Sequence, residues 1–227
     1  MRRVKQLMGM PISIDIPEAK DDIAFVAAFK RLSAIDERFS AYKPNSELCR
    51  FQRGEIPAAD LSAEMKQVIK ACTAAKKMTN GYFSAYFSDK FNPTGYVKGW
   101  AIAEAGKIIE KQGYGTYCIS AGGDILARSN SGKVWNIGIQ DPQNRHKIFN
   151  TLSIANGAVA TSGNYERGAH IINPKTKKLA SSYLSVTISG PDIIMTDVLA
   201  TAAFAAGDKA IALLKKFKKY KAILVRS

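Results

Sequence analysis

Apolar positions in the N-terminal part of the chain change period twice. Residues 10–16 alternate, with Ile12, Ile14 and Ile16 on one face, and Pro17 ends the run; this predicts a short strand with one buried side. Over 21–39 the apolar residues Ile23, Phe25, Val26, Phe29, Leu32, Ile35 and Phe39 fall at helical spacing. Acids lie at the front of that stretch and Lys30, Arg31 and Arg38 later, the polarity a helix dipole favours. Residues 40–53 predict a loop around Pro44 and Asn45 with a short turn at Ser46-Glu47-Leu48. A second amphipathic helix follows at 61–78, closed by Asn80-Gly81. Neither period survives in 81–99, where Tyr82, Phe83, Tyr86, Phe87 and Phe91 are interrupted by Asn92-Pro93 and Gly95. A stretch this aromatic and this broken is either a wrapped core segment or the lining of a site. A third helix is predicted from about Lys98 to Gln112, stopping at Gly113.

Short strand patterns come next, at 116–120, 124–127, 134–139, 148–154, 158–161, 170–172 and 184–189, most of them separated by Gly, Asn or Pro. The segment around Asp197 then predicts a helix, 208–219 another, and 222–225 a last strand. Helices, a run of strands and helices again predict an α+β fold. The expected form is a mostly antiparallel sheet with flanking helices, in two intimately packed lobes, and not a strict βαβ winding. Neither a fixed-period repeat nor a low-complexity linker divides the 227 residues, so 1–227 reads as a single domain.

Hydrophobic content of 46% and charged content of 23% are globular values. The formal net charge of +14 suits an anionic ligand, nucleic acid or an acidic surface. Lysines between 209 and 221 supply part of it, and a solvated basic helix face explains those without any partner. The aromatics cluster at 82–100 and the bases lie elsewhere, which disfavours an RNA-recognition surface. Cys49, Cys72 and Cys118 are odd in number and lack CxxC spacing, against both a disulfide framework and a zinc site. No signal peptide or membrane span is visible, so the expectation is a cytoplasmic protein without membrane insertion.

Four stretches could carry chemistry. In Met195-Thr196-Asp197-Val198-Leu199-Ala200-Thr201 a carboxylate and a hydroxyl four residues apart share one helix face, and both offer the hard oxygen that Mg²⁺ takes. The simpler account makes Thr196 an N-cap, places Asp197 at the positive end of the dipole and packs Thr201 among alanines. Ser120-Ala121-Gly122-Gly123-Asp124 lets a backbone approach a ligand closely, or is only a hairpin turn. In residues 92–100 a glycine turn precedes a helix beginning near Lys98, where amides and an ammonium suit phosphate. Residues 161–170 form a polar, glycine-rich stretch ending on His170, one of two histidines and a side chain with a pKa near neutrality. His146, among Gln143, Asn144, Arg145 and Lys147, reads as a surface loop residue.

Taken in order, these stretches resemble the ApbE family, the FAD:protein FMN transferases. The matching pieces are Met8-Gly9-Met10, Phe39-Ser40-Ala41-Tyr42, residues 45–51, Asn80-Gly81-Tyr82-Phe83, residues 92–100 and Ala121-Gly122-Gly123-Asp124. Ala160-Thr161-Ser162-Gly163, Tyr165-Glu166-Arg167, His170-Ile171-Ile172-Asn173-Pro174 and residues 197–201 complete the series. The resemblance implies that FAD is bound, that its pyrophosphate is cut with Mg²⁺ assistance, and that FMN passes to a Thr or Ser hydroxyl of an acceptor flavoprotein with release of AMP. By position it implies that Asp197 and Thr201 give side-chain oxygens to Mg²⁺ and Gly95 a backbone carbonyl. It sets Asn92 and Lys98 beside the flavin nucleotide, and Met8, Tyr42, Phe83, Ser84, Ala85 and Ile172 against FAD. Gly122, Gly123 and Asp124 would approach the ligand through their turn, and His170 would take the acceptor hydroxyl's proton. The sequence departs from the family pattern at Ser84, Asn92 and Asn173, where aspartates are usual, which makes the pocket more positive. Two alternatives stand beside transfer: hydrolysis of FAD to FMN and AMP, and a non-catalytic FAD-binding protein.

Overall fold

The structure is a computed structural model and describes residues 1–87, 90–163 and 171–227. Along the chain come β1 (Arg2–Leu7), β2 (Met10–Asp15), α1 (Ile23–Phe39), α2 (Glu47–Gln52), α3 (Ala63–Met78) and α4 (Thr94–Lys111). After them come β3 (Tyr117–Ala121), β4 (Asp124–Arg128), β5 (Trp135–Asp141), β6 (Asn144–Ile154), β7 (Gly157–Gly163) and β8 (Tyr183–Gly190). The chain ends with α5 (Ile193–Ala206), α6 (Ala210–Leu214) and β9 (Lys221–Arg226). Among the described residues, seven strands form one sheet in the order β1-β2-β3-β4-β7-β8-β9, every neighbouring pair antiparallel. β5 and β6 pair with each other and lie on the sheet's other face, where Ile137 and Ile139 pack with Val159. The expected α+β class and antiparallel sheet are what the chain forms.

One face of the sheet carries the helices. α5 lies on β7 and β8, α4 packs against α5 and β3, and α1 covers α4. α5 is apolar nearly all round, with ten of its side chains from Thr196 to Ala206 buried, as a helix enclosed on every side must be. Its alanines let neighbours come close. α4 answers with glycine: a Cβ at Gly99 would sit 3.0 Å from the Ile193 carbonyl oxygen and 3.1 Å from the Asp197 Cβ. Gly99 is thus where α4 and α5 touch backbone to backbone. Half-buried ion pairs fasten the outer helices. Arg31 joins Glu64 (2.7 Å) and Glu104 (2.9 Å) and stacks over Trp100, while Arg38 reaches Glu64 and Glu47.

Several expected boundaries change. β1 was not expected: Arg2, Arg3 and Lys5 give it a polar look, yet it pairs with β2 through a two-residue turn at Met8-Gly9. Residues 47–52, expected as loop apart from a short turn at Ser46-Glu47-Leu48, are a helix, because the Ser46 hydroxyl accepts the Cys49 amide and caps it. In α1 the buried stripe uses Ala24 and Ala28, while Ile23 and Val26 are each 63% exposed. α4 starts at Thr94 and not near Lys98, since Asn92 Oδ1 accepts the Thr94 amide at 3.1 Å and opens the helix earlier. The helix expected over 208–219 is regular only at Ala210–Leu214, and β6 reaches back to Asn144. Of the expected strand at 170–172 the described part is a single pairing of Ile172 with Leu179.

Gly99→Ala is expected to destabilise the protein by about 1–3 kcal/mol, because the added methyl would press on the Ile193 carbonyl, the Ile194 Cα and the Asp197 Cβ. Urea or thermal unfolding of the purified variant checks this, and an unchanged midpoint would contradict the close α4–α5 contact.

Candidate functional site

The site is built where one end of the sheet meets α4 and α5. α5 is capped by Asp192, whose Oδ1 accepts the Met195 amide at 2.7 Å. Thr196 is therefore inside the helix and not its N-cap; its hydroxyl donates back to the Asp192 carbonyl at 2.6 Å. Asp197 lies a turn into α5 and is buried. Its Oδ2 accepts the Gly99 amide at 3.0 Å, and its Oδ1 is 3.8 Å from Lys98 Nζ. In a regular helix the Gly99 amide serves the carbonyl of Gly95, four residues back; here that amide donates to Asp197. One turn further along α5, Thr201 stands beside Gly95: a Cβ on Gly95 would be 3.6 Å from Thr201 Oγ1 and 3.4 Å from Phe83 Cε2. Thr201 Oγ1 also lies 3.4 Å from the Ser162 hydroxyl at the end of β7.

Lys98 Nζ is 2.7 Å from Asp124 Oδ2. Asp124 opens β4, is fully buried, and accepts the Thr161 amide on Oδ1 at 3.3 Å. The turn before it needs glycine: Gly122 and Gly123 have φ of 55° and 86°, the left-handed pair of a two-residue hairpin. Met8 and Gly9 repeat that geometry at 55° and 73°, unusual for a methionine. A Cβ on Gly122 would be 2.7 Å from Met10 Sδ, so the two turns sit side by side. The double glycine does form a hairpin turn, and the hairpin delivers Asp124 to Lys98.

The aromatic stretch packs on the first turn of α4. The Phe83 amide donates to Thr79 Oγ1 at 3.1 Å and the Asn92 amide to the Ala85 carbonyl at 2.7 Å. Ser84, Asn92 and Asn173 share one local role. Their side-chain oxygens accept the amides two residues ahead: Tyr86 at 3.0 Å, Thr94 at 3.1 Å and Lys175 at 2.9 Å. An aspartate would make the same turn. What these positions change is charge, not backbone path.

Gly95, Lys98, Asp124, Asp197 and Thr201 are thus brought together, with Phe83 against Gly95. Tyr42 is 91% exposed and Ile172 is half-buried in the hairpin with Leu179; among the described contacts neither is joined to this group. His170, with Tyr165, Glu166 and Arg167, lies outside the described residues. Two contributors were not anticipated: the Gly99 amide and the Ser162 hydroxyl as a neighbour of Thr201. The four-residue spacing of Gly95 and Gly99 was a usable signal for close helix approach.

Chemically the group offers a carboxylate, a hydroxyl and a main-chain carbonyl. Among the described residues no three His, Cys, Asp or Glu side chains gather as a metal cage. Hard oxygens in small number fit Mg²⁺, which keeps waters and completes its shell on substrate phosphates. Thiol chemistry has no place here: burial pushes the thiols of Cys72 and Cys118 up to about 12, so both stay protonated near neutrality. Across the sheet a cavity of about 280 Å³ opens under the β5–β6 hairpin, sharing Gly122, Gly123 and Thr161 with the site's edge. No described helix is long and apolar enough to cross a membrane.

Fold and site together define an α+β protein whose oxygen donors and lysine suit a metal-bound phosphate group. The chain belongs to the ApbE family, whose model matches residues 8–90 and 90–224. An FAD:protein FMN transferase of Escherichia coli K12 is 26% identical over 184 residues, covering 72% of this chain and 52% of that protein. One from Klebsiella pneumoniae is 29% identical over 112 residues, 44% of this chain and 32% of its own length. The chain therefore spans about a third to a half of these relatives. The fold is that of the Thermotoga maritima ApbE protein, with a TM-score of 0.85 at 21% identity, covering 100% of this chain and 94% of that one. The Pseudomonas stutzeri flavinyl transferase ApbE also gives 0.85, at 16% identity over 100% of this chain and 91% of that one.

In the native protein Cys72 and Cys118 are expected to resist iodoacetamide at pH 8, where a thiol of pKa about 12 is overwhelmingly protonated, and to react once urea is added. Peptide mass spectrometry reads the labelling. Rapid alkylation in the folded chain would contradict the burial of Cys72 and the half-buried setting of Cys118.

Proposed function

We propose that this chain is an FAD:protein FMN transferase, cleaving FAD and attaching FMN through a phosphoester bond to a Thr or Ser of an acceptor flavoprotein, with release of AMP. Residues 1–227 act as one catalytic unit. The observation that carries this reading is the convergence of Asp197, Thr201, Gly95 and Lys98 in a chain of the ApbE family. The Escherichia coli and Klebsiella pneumoniae relatives are FAD:protein FMN transferases by name, which supports this reading.

Asp197 Oδ1, Thr201 Oγ1 and the Gly95 carbonyl are the donors that would hold Mg²⁺. When bound, that cation supplies neutralisation of the charge that develops between the two phosphates. The chain's own part is placement. Gly99 fixes Asp197 through its amide, so one carboxylate oxygen is oriented and stays so. Phe83 and the turn through Asn92 support the first turn of α4, which carries Gly95 against Thr201. Lys98 puts an ammonium within reach of a phosphate oxygen. Neutral Ser84, Asn92 and Asn173 leave fewer carboxylates to repel a dianionic pyrophosphate. His170 is assigned as the base that accepts the acceptor hydroxyl's proton, since a hydroxyl attacks poorly until deprotonated.

Purified protein with FAD, Mg²⁺ and a flavodoxin-like or electron-transport acceptor domain is expected to release AMP and leave covalent flavin fluorescence on the acceptor band. AMP with free FMN alone would make the activity hydrolysis; FAD bound with no AMP under either condition would refute both. Asp197→Asn and Thr201→Val are each expected to lower AMP release, the first by about a hundredfold, with FAD still bound. His170→Ala is expected to slow transfer more than it weakens FAD binding, followed by flavin fluorescence titration beside the transfer assay; an unchanged rate removes it from the mechanism.

A further inference from the structure

We propose that Asp124 is a positioning residue for the metal, acting through Lys98 and touching neither the cation nor the nucleotide. The inference rests on the metal-dependent reading above. Asp197 commits Oδ2 to the Gly99 amide at 3.0 Å, so Oδ1 is the oxygen turned towards Lys98, whose Nζ is 3.8 Å away. An ammonium at that distance competes with any other cation for the carboxylate, and the competition is strong where water is excluded. If Lys98 moved the remaining ångström, it would form a contact pair with Asp197 and cancel the charge that attracts Mg²⁺.

Asp124 prevents that move. Its Oδ2 holds the same Nζ at 2.7 Å, more than an ångström closer than Asp197 does. The carboxylate is itself anchored: it is fully buried, its Oδ1 accepts the Thr161 amide at 3.3 Å, and it leaves a tight turn with no slack. Among the described residues two carboxylates flank this one ammonium, and the distances give it to Asp124. In this arrangement the Gly122-Gly123 turn serves the reaction by delivering Asp124 to Lys98. The lysine is kept near the phosphates without occupying the metal's carboxylate.

Mn²⁺ binding followed by electron paramagnetic resonance on nucleotide-free protein, then repeated with ADP present, tests this without turnover. Asp124→Asn keeps the acceptor for Thr161 but removes the charge, and is expected to weaken Mn²⁺ binding by about tenfold or more. Adding Lys98→Met to Asp124→Asn is expected to restore the affinity to about the wild-type value, since the competitor is gone. A merely structural Asp124 predicts instead that the double variant binds no better than the single one, and that result overturns the proposal. Unchanged Mn²⁺ affinity in a folded Asp124→Asn protein overturns it too. Should thermal unfolding show that Asp124→Asn does not fold, Lys98→Met alone decides: Mn²⁺ affinity equal or tighter supports the proposal, and a loss refutes it. Wild-type protein that binds no Mn²⁺ with or without ADP would refute the metal assignment itself.

Discussion

A single hydrogen bond sets the geometry on which the site depends: the Gly99 amide to the Asp197 carboxylate, 3.0 Å long and buried between two helices. A hydrogen bond to a charged group contributes about 1.5–3 kcal/mol, and leaving that carboxylate buried without it would cost more. The bond exists because Gly99 has no side chain. With a Cβ there, α5 would have to stand off and Asp197 could not reach a main-chain amide in the interior of α4. It fixes which oxygen of Asp197 is committed and which is presented. It also draws on the amide that would otherwise serve Gly95, one turn back along α4. Thr201, one turn on along α5, is then set against Gly95 by the same helix register.

The sheet supplies the other half of the geometry. Antiparallel pairing of β1 with β2, β3 with β4 and β7 with β8 brings the Met8-Gly9 turn, the Gly122-Gly123 turn and the end of β7 to one edge. From that edge Asp124 reaches Lys98 and Ser162 reaches Thr201, so sheet and helices are joined through the functional side chains themselves. The described residues that gather around Asp197 and Thr201 come from positions 95–99, 124 and 162 in the chain. Such a site cannot be moved piecemeal: a shift of α4 disturbs Gly95, Lys98 and the Gly99 anchor of Asp197 together.

Much of this was legible in the sequence where burial is one-sided. Ile12, Ile14 and Ile16 alternate because one face of β2 is core, and the later strands read out for the same reason. The pattern failed where burial is carried by small residues or by none. Ala24 and Ala28 line the buried face of α1 but are weak signals beside the exposed Ile23 and Val26. β1 is a sheet edge and can be basic on both faces, so nothing in its hydropathy marks it. α2 is one and a half turns long, too short for a period, and was detectable only through its Ser46 cap. At the site, side-chain donors could be named from the family resemblance, whereas the Gly99 amide has no side chain to betray it. The Lys98–Asp124 pair joins two segments with no spacing rule between them, and only the folded register creates it.

Charge at the site follows from the same comparison of local and global effects. Ser84, Asn92 and Asn173 each satisfy an amide two residues ahead, so losing three aspartates relative to the family pattern leaves the turns intact. The electrostatics are not left intact. Among the described residues Asp197 and Asp124 are the carboxylates tied to this group, and the second pairs with Lys98. One carboxylate with a hydroxyl and a carbonyl is a poor trap for a hydrated Mg²⁺ on its own, because that ion gives up water reluctantly. The same set becomes adequate when a pyrophosphate brings further oxygens and two negative charges. In the proposed reading, the residues present would favour a metal held jointly by protein and nucleotide over one stored in the empty protein, and such sharing would tie cation binding to the phosphates of FAD.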